Sequence, residues 1–233
     1  MIREFMGIED HPATHVERWV SGIGGLLSIA ATILVSIHWV GMRGAVVIIP
    51  SMGASAVLLF AVPHGSLAQP WNLIGGHLIS ALVGVACARW FGPGPWAAGA
   101  AVGGAITAMY YLRCIHPPGG ATALAAVIGG PAVHQLGFLY ALTPIMTNVA
   151  VMFAVALAFN ALFPWRRYPA YLVRKTAPAP APADHHYPPI DHADLVYALS
   201  QIDSFIDVTE EDLLRIYDLA TGREARTRTT EGS

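Results

Sequence analysis

Apolar residues fill most of the chain before residue 164 and fall into six runs separated by short polar or Pro/Gly-containing breaks. The runs cover Val20–Val40, Gly44–Val62, Trp71–Phe91, Pro95–Leu112, Cys114–Ala132 and Leu136–Phe163. A membrane-spanning helix needs about 20 predominantly apolar residues, and four of the runs approach or exceed that length. The pattern therefore predicts an all-α membrane protein with four to six membrane crossings.

The second and fifth runs are interrupted. Each has a proline near its start and small or polar residues directly after it, in "VVIIPSMGASAVLLF" and "CIHPPGGATALAAV". Irregular backbone at membrane depth is tolerated only where protein or a water-filled cavity satisfies its polar groups. The two runs either span the membrane, giving six crossings and inverted halves, or re-enter it, giving four crossings and parallel halves. Ordinary proline kinks are the simpler alternative.

The two interrupted runs also repeat one another. At an offset of 67 residues, Pro50 matches Pro117, Gly53 matches Gly120, Ala54 matches Ala121, Ser55 matches Thr122 and Ala56 matches Ala123. This predicts two pseudo-repeats of three apolar segments each, with the middle segment broken or re-entrant. Paired, Gly/Pro-interrupted segments in corresponding halves are the best sequence pointer to a transport site.

The breaks predict two helix N-termini inside the membrane, near Gly53–Ser55 and Gly120–Thr122. Free backbone N–H groups and the positive end of a helix dipole together favour an anion. The candidate substrate contacts at the breaks are Pro50, Gly53, Ala54 and Ser55 in the first half and Pro117, Pro118, Gly119, Gly120, Ala121 and Thr122 in the second.

The distribution of charge supports an anion. Hydrophobic residues make up 55% of the chain and charged residues 12%, whereas a soluble domain carries about 25% charged residues. Between Arg18 and Ala183 there are eight basic residues and no Asp or Glu. Cation carriers keep acidic ligands within the membrane, so the composition favours an anion or a small neutral molecule.

Two arginines precede the prolines of the repeat. Arg43 and Arg113 are predicted to line a vestibule and to raise the local anion concentration. The alternative is that each side chain extends along the bilayer interface to the headgroups.

Histidines are frequent in or near the apolar part, at His38, His64, His77, His116 and His134. We single out His116, beside the prolines, as a ligand donor or proton carrier, with His77 second. No two lie three or four residues apart, the helical spacing of metal ligands, so neither a metal nor a cofactor is expected. A metal-binding membrane enzyme remains an alternative. Asn148, in the last run, is a candidate for an interhelical hydrogen bond or for a pore lining.

The chain divides into four parts by composition: a cytoplasmic N-terminal segment (1–19), a transmembrane domain (20–165), a basic end with a Pro/Ala linker (166–190) and an amphipathic helical tail (191–233). The N-terminal segment is too charged for a cleaved signal peptide. Arginine counting places both termini in the cytoplasm. Nothing resembles a nucleophile elbow, a phosphate loop or a zinc signature, and nothing suggests nucleic acid, so no enzyme is expected.

The segment "HPPGGATAL", His116–Leu124, together with "PSMGASAVLLF", resembles the HPP family of integral membrane proteins, named after this His-Pro-Pro. The residues Gln69–Gly84 are also similar to the family pattern. Members are usually described as having four membrane-spanning helices, and plastid and cyanobacterial members have been linked to nitrite transport. The tail is similar to a helical region that joins the membrane part of longer relatives to nucleotide-sensing CBS modules, which these residues do not include.

These observations predict a multi-pass protein of a bacterial inner membrane that passes a small inorganic anion, nitrite first. Its expected partners are the lipid bilayer, the anion and, given the small size of the chain, a second copy of itself. The alternative is a membrane sensor or scaffold that signals through the cytoplasmic tail.

Overall fold

The protein is described by a computed structural model over residues 14–172, together with Met6, Leu213 and Tyr217. All the regular structure in these residues is helical. The predicted linker and amphipathic tail lie outside the described residues, apart from Leu213 and Tyr217, which are both helical.

Proline marks where most of the helices begin. The helices are α1 (His15–Ala61), α2 (Pro70–Phe91), α3 (Pro95–Tyr111), α4 (Pro117–Ile128), α5 (Pro131–His134) and α6 (Thr147–Ala161), with a π-helical turn at Ala141–Met146 before α6. Proline stands at the start of α2, α3, α4 and α5. Its fixed φ suits the first helical turn, and its missing N–H would have no partner there.

Helix α1 is two helical arms joined at Gly41. The backbone at Gly41 has φ 64° and ψ 177°, a combination that is essentially restricted to glycine. The first arm covers 15–40 and the second arm 42–61.

The two arms pack against each other in antiparallel directions. A Cβ added to Gly24 would lie 2.4 Å from the Phe60 ring. A groove between the arms is lined by Ser21, Gly25 and Ile29 on one side and by Gly53, Ala56 and Phe60 on the other. The first two predicted runs are therefore the two arms of a helical hairpin.

Within residues 14–172, six helical segments run between two ends of the bundle. At the end we call the Glu17 end, Arg166 contacts both Glu17 and the Phe60 carbonyl, and Trp71 Nε1 donates to Leu112 O at 3.1 Å. At the opposite end, the Gly41 end, Gly44 faces Ala132. The order of passes is the first arm, the second arm, α2, α3, α4 and residues 141–161.

The outer surface of the bundle is apolar. Large hydrophobic side chains such as Trp19, Leu34 and Trp96 are 74%, 71% and 90% exposed. Three helical stretches, His15–Ala61, Pro70–Phe91 and Ala141–Ala161, are long and apolar enough to cross a membrane, and Pro117–Ile128 is a shorter apolar helix. Exposed apolar surface of this extent fits a lipid environment.

Small residues bring α2, α3 and α4 close together. Ala97, Ala101, Ala105 and Ala123 are all buried in one cluster between these helices. A Cβ on Gly84 would lie 2.5 Å from the Ala123 carbonyl oxygen. Without side-chain bulk the backbones can approach closely, which is how many membrane helices pack.

An ion pair between a buried arginine and a partly exposed glutamate lies at the Glu17 end. Arg166 is 1% exposed, and its guanidinium contacts the Glu17 carboxylate. The Arg166 Nε also donates to Asn160 Oδ1 at 3.2 Å, and Trp165 Nε1 donates to Glu17 Oε2 at 2.8 Å. This network connects the start of α1 to the end of α6.

Burial raises the pKa of the Tyr168 phenol. Tyr168 therefore stays protonated, and its hydroxyl donates to Ala68 O at 2.7 Å.

Candidate functional site

Four polar side chains from three helical segments meet inside the bundle. Ser55 lies on the second arm, His77 on α2 and Thr122 on α4, and His116 immediately precedes the first residue of α4. All four are 0% exposed. We call these residues the His–Ser cluster.

The cluster is a continuous chain of hydrogen bonds. Ser55 Oγ lies 2.8 Å from His77 Nε2 and 2.8 Å from His116 Nε2. On its other edge, His77 Nδ1 lies 2.8 Å from Thr122 Oγ1. His116 Nδ1 lies 2.9 Å from the backbone carbonyl of Leu67, in the turn between α1 and α2. Every ring nitrogen of the two histidines therefore has a partner.

The proline after His116 sets the direction of its side chain. A residue before proline is pushed out of the helical region into an extended one, and His116 has φ −141° and ψ 100°. Its imidazole therefore projects from an extended residue at the start of α4 and reaches both Ser55 and Leu67.

Glycines make room for this arrangement. A Cβ on Gly76 would lie 2.4 Å from His116 Cβ. A Cβ on Gly119 would lie 2.6 Å from Ser80 Oγ and 2.8 Å from the Gly76 carbonyl oxygen. The contact of α2 with the start of α4, which brings the two histidines together, therefore needs glycine at both positions.

The Leu67 carbonyl fixes the positions of the protons when both rings are neutral. A carbonyl oxygen only accepts, so His116 must carry its proton on Nδ1. The bare His116 Nε2 then accepts from the Ser55 hydroxyl, whose oxygen accepts from His77 Nε2–H. The bare His77 Nδ1 in turn accepts from the Thr122 hydroxyl. We assign one direction to the whole chain, from Thr122 through His77, Ser55 and His116 to Leu67.

The site contains no charged partner within the described part of the chain. No Asp, Glu, Lys or Arg side chain hydrogen-bonds either imidazole there. No three His, Cys, Asp or Glu side chains come together as a candidate metal site in residues 14–172. The arrangement offers hydroxyl and imidazole hydrogen bonding and proton exchange between the two rings.

Residues 10–169 match the model of a family described as "HPP, transmembrane region". The match includes the whole His–Ser cluster. The chain belongs to the HPP family.

Two curated relatives are also membrane proteins. One transmembrane protein of Dictyostelium discoideum is 38% identical over 161 residues, which cover 66% of this chain and 54% of the relative. Another from the same organism is 36% identical over 157 residues, covering 66% of this chain and 49% of the relative. The chain thus spans about half the length of these relatives. No solved structure matches it.

The N-terminus of α4 in this HPP protein does not present the free amides predicted from the sequence. Helix α4 begins at Pro117 rather than near Gly120–Thr122. Neither Pro117 nor Pro118 has an N–H, and Gly119 N donates to His116 O at 2.8 Å. Gly120 and Ala121 follow the four N-terminal positions that lack intrahelical partners. The two prolines therefore remove donors that an anion would need.

The predicted break in the second run is wrong in position. Pro50 lies within the helical second arm, and Gly53 and Ala54 continue that arm, so they form no helix N-terminus. The break is at Gly41 instead. A proline is tolerated inside a membrane helix, and the second arm continues as helix through Pro50 to Ala61.

The predicted vestibule arginines lie at opposite ends of the bundle. Arg43 follows Gly41 at the Gly41 end, and Arg113 follows Leu112 at the Glu17 end. Both side chains are exposed. They are therefore not two walls of one vestibule.

The remaining predicted residues are Asn148, on α6, and the small residues and prolines around the two predicted breaks. Asn148 makes an interhelical hydrogen bond, one of the two roles predicted for it: its Nδ2 donates to Ser36 Oγ at 2.6 Å, while its buried Oδ1 has no partner among the described residues. Pro118 and Gly119 are buried beside the cluster, whereas Pro50, Ala54, Pro117 and Ala121 point outward.

Two further groups belong to the site and carry no sequence signal. The Leu67 carbonyl anchors His116, and Tyr140 OH donates to the Thr122 carbonyl at 3.0 Å. A backbone carbonyl is present at every residue, so the sequence does not mark the one at Leu67. Tyr140 is an aromatic residue among apolar neighbours, and nothing in the sequence around it indicates a contact with Thr122.

Proposed function

We propose that this protein transports a small inorganic anion across the membrane, nitrite first, by way of the His–Ser cluster. The single observation that carries the proposal is a fully buried, hydrogen-bonded polar cluster without carboxylates inside an apolar helical bundle. Ionisable groups within a membrane bundle are costly and mark substrate or proton pathways.

The charge of the bundle favours an anion over a cation. The residues from Arg18 to Ala183 include no Asp or Glu, and Glu17 is engaged by Arg166. Since the amides at the start of α4 are absent or already used, positive charge at the cluster has to come from a protonated imidazole. An anion and an imidazolium neutralise each other, which lowers the cost of burying either one.

The burial of the cluster favours a carrier over an open channel. All four side chains are 0% exposed, so an anion reaches them only when the second arm and the start of α4 move relative to α2. Relative movement of bundle halves around a fixed site is the usual basis of alternating access.

The six passes of the chain support the topology with six crossings and inverted halves. Arg166, which follows α6, contacts Glu17 at the start of the first arm, and this contact supports a topology in which both lie on the same side of the membrane. With the arginine count, that side is the cytoplasm, in a bacterial inner membrane.

Anion uptake by the purified protein in liposomes tests the proposal. Nitrite, nitrate, formate and chloride are compared for the wild type, His116→Ala and His134→Ala. His134 is a matched control because its Nε2 contacts Val127 O, away from the cluster. We expect nitrite uptake by the wild type and by His134→Ala, and its loss in His116→Ala. No uptake of any of the four anions by folded wild-type protein would overturn the proposal.

A further inference from the structure

The two histidines of the cluster are joined by one hydroxyl group. Ser55 Oγ is within hydrogen-bond distance of the Nε2 atoms of His77 and His116, both at 2.8 Å. The two imidazole rings are 4.9 Å apart between centroids, with an angle of 62° between their planes. The hydroxyl therefore bridges two imidazoles, side chains that can accept and release a proton at a ring nitrogen.

We propose that His77, Ser55 and His116 form one proton-transfer unit that holds a single excess proton and passes it through the Ser55 hydroxyl. The coupling of this proton to nitrite rests on the proposed function, so that each anion moves together with one proton. The proton itself comes from water at the membrane surface.

The transfer step balances with the observed contacts. When His77 is the cation, its Nε2–H donates to Ser55 Oγ, and the Ser55 hydroxyl donates to His116 Nε2. The His77 N–H bond then breaks as an O–H bond forms at Ser55, and the original Ser55 O–H bond breaks as an N–H bond forms at His116. His116 becomes the cation, and the Ser55 hydroxyl now donates back to His77 Nε2.

The outer partners stabilise both positions of the proton. His116 Nδ1–H donates to Leu67 O in either state. Whichever ring holds the excess proton, His77 Nδ1 carries a hydrogen and donates it to Thr122 Oγ1. The Thr122 hydroxyl then turns to Pro118 O, 3.5 Å away. No atom of the cluster loses its hydrogen-bond partner during the transfer.

A second excess proton is disfavoured. The two rings are in contact and buried, so two adjacent imidazolium ions would repel each other in a low-dielectric site. Two titratable groups pack beside the cluster: Tyr140, which donates to Thr122 O, and Cys114, whose side chain lies against Gly75 on α2. Neither contributes a negative charge while protonated, so an incoming anion is the group that offsets the one proton.

Nitrogen-15 NMR of the histidines in lipid bilayers tests the unit without any transport. At neutral or alkaline pH, we expect His116 to carry its proton on Nδ1 and His77 on Nε2, with resonances assigned from His77→Gln and His116→Gln variants. On acidification we expect two separate steps, in which the His77–His116 pair takes up one proton and then, at clearly lower pH, the second. The same tautomer in both rings, or two independent single-proton titrations, would overturn the proposal.

Variants of Ser55 test the transfer step by function. Nitrite uptake and internal acidification are recorded together in liposomes that contain a pH-sensitive dye, with protein-free liposomes correcting for passive entry of nitrous acid. We expect one proton per nitrite in the wild type. In Ser55→Ala we expect a fall in both rates of about a hundredfold, the lower end of the contribution of a positioned proton donor. Ser55→Thr, which keeps the hydroxyl, should restore both.

Ser51→Ala is the matched control. Ser51 is buried one turn before Ser55 on the same arm, but its hydroxyl donates to Ile48 O and not to the histidines. We expect wild-type rates from this variant. Nitrite uptake without proton entry would overturn the one-proton coupling but leave the proposal of anion transport intact. If nitrite is not taken up but the NMR tautomers are as expected, transport is overturned and the proton-transfer unit is intact.

Discussion

Ser55 and Thr122 hydrogen-bond opposite edges of one imidazole, that of His77, although they are 67 residues apart in the sequence. These are the two hydroxyl-bearing positions that the internal repeat matches. The contact gives the matched positions a shared role, because each fills the hydrogen-bonding capacity of a different His77 nitrogen.

Removal of the Thr122 hydroxyl should destabilise the protein. Thr122→Val keeps the shape of the side chain but leaves His77 Nδ1 buried without a partner, and an unsatisfied buried group costs about 1–3 kcal/mol. Thr107→Val is the control, since Thr107 is exposed and its hydroxyl donates to Gly103 O within its own helix. We expect a lower unfolding midpoint in detergent for Thr122→Val alone; equal midpoints would contradict the role given to Thr122.

Gly119 and Gly120, which follow the two prolines of α4, should differ sharply in their tolerance of substitution by alanine. Gly119→Ala places a methyl group 2.8 Å from the Gly76 carbonyl oxygen, a backbone atom that cannot move without shifting α2. At Gly120 the nearest atom is a Val102 side-chain carbon at 3.8 Å, an ordinary contact. We expect Gly119→Ala to lower thermal stability and nitrite uptake, and Gly120→Ala to retain both. A tolerated Gly119→Ala would contradict the close packing of α2 and α4.

The turn between the two arms of α1 should require glycine. At φ 64° and ψ 177°, Gly41→Ala is strained, by about 1–3 kcal/mol. Gly99→Ala is a suitable comparison, because Gly99 is exposed in the interior of α3 with open space around it. Thermal unfolding in detergent should detect a loss for Gly41→Ala and none for Gly99→Ala. If Gly41→Ala is as stable as the wild type, the hairpin of the two arms is wrong.

Substitution of the buried arginine at the Glu17 end should lower the free energy of unfolding. Arg166→Met leaves the Glu17 carboxylate without its counter-ion and also removes a donor to the Phe60 carbonyl. Removal of one partner of a buried ion pair costs about 3–5 kcal/mol; partial exposure of Glu17 places the expected cost at the lower end. Arg167→Met, at an exposed neighbour, should change stability by less than about 0.5 kcal/mol. Urea unfolding measures both, and equal losses would contradict a specific role for Arg166.

The sequence predicted the apolar passes more accurately than the breaks between them. Each of the six predicted runs is largely helical in the structure, because the apolar residues that favour a membrane helix can be recognised directly in the sequence. The break was predicted near Pro50 because proline disfavours a helix, but a membrane helix can accommodate a proline and the second arm continues through it. Gly41, the actual break, is one of many glycines and has no neighbour that marks it.

The candidate site was predicted in its residues but not in its geometry. His116, His77, Ser55 and Thr122 were each named from the sequence, yet their meeting depends on contacts across 22, 45 and 61 residues. The anion-binding amides were predicted from a general rule on helix N-termini. That rule fails here because the same prolines that start α4 have no N–H to offer.

The most direct test of the account is nitrite uptake into liposomes by wild-type, Ser55→Ala and Ser51→Ala proteins, all confirmed as folded and measured under one proton gradient. We expect equal uptake by the wild type and Ser51→Ala and a loss of about a hundredfold in Ser55→Ala. Equal uptake by all three proteins would remove the His–Ser cluster from the transport path, and no uptake by any of them would contradict anion transport itself.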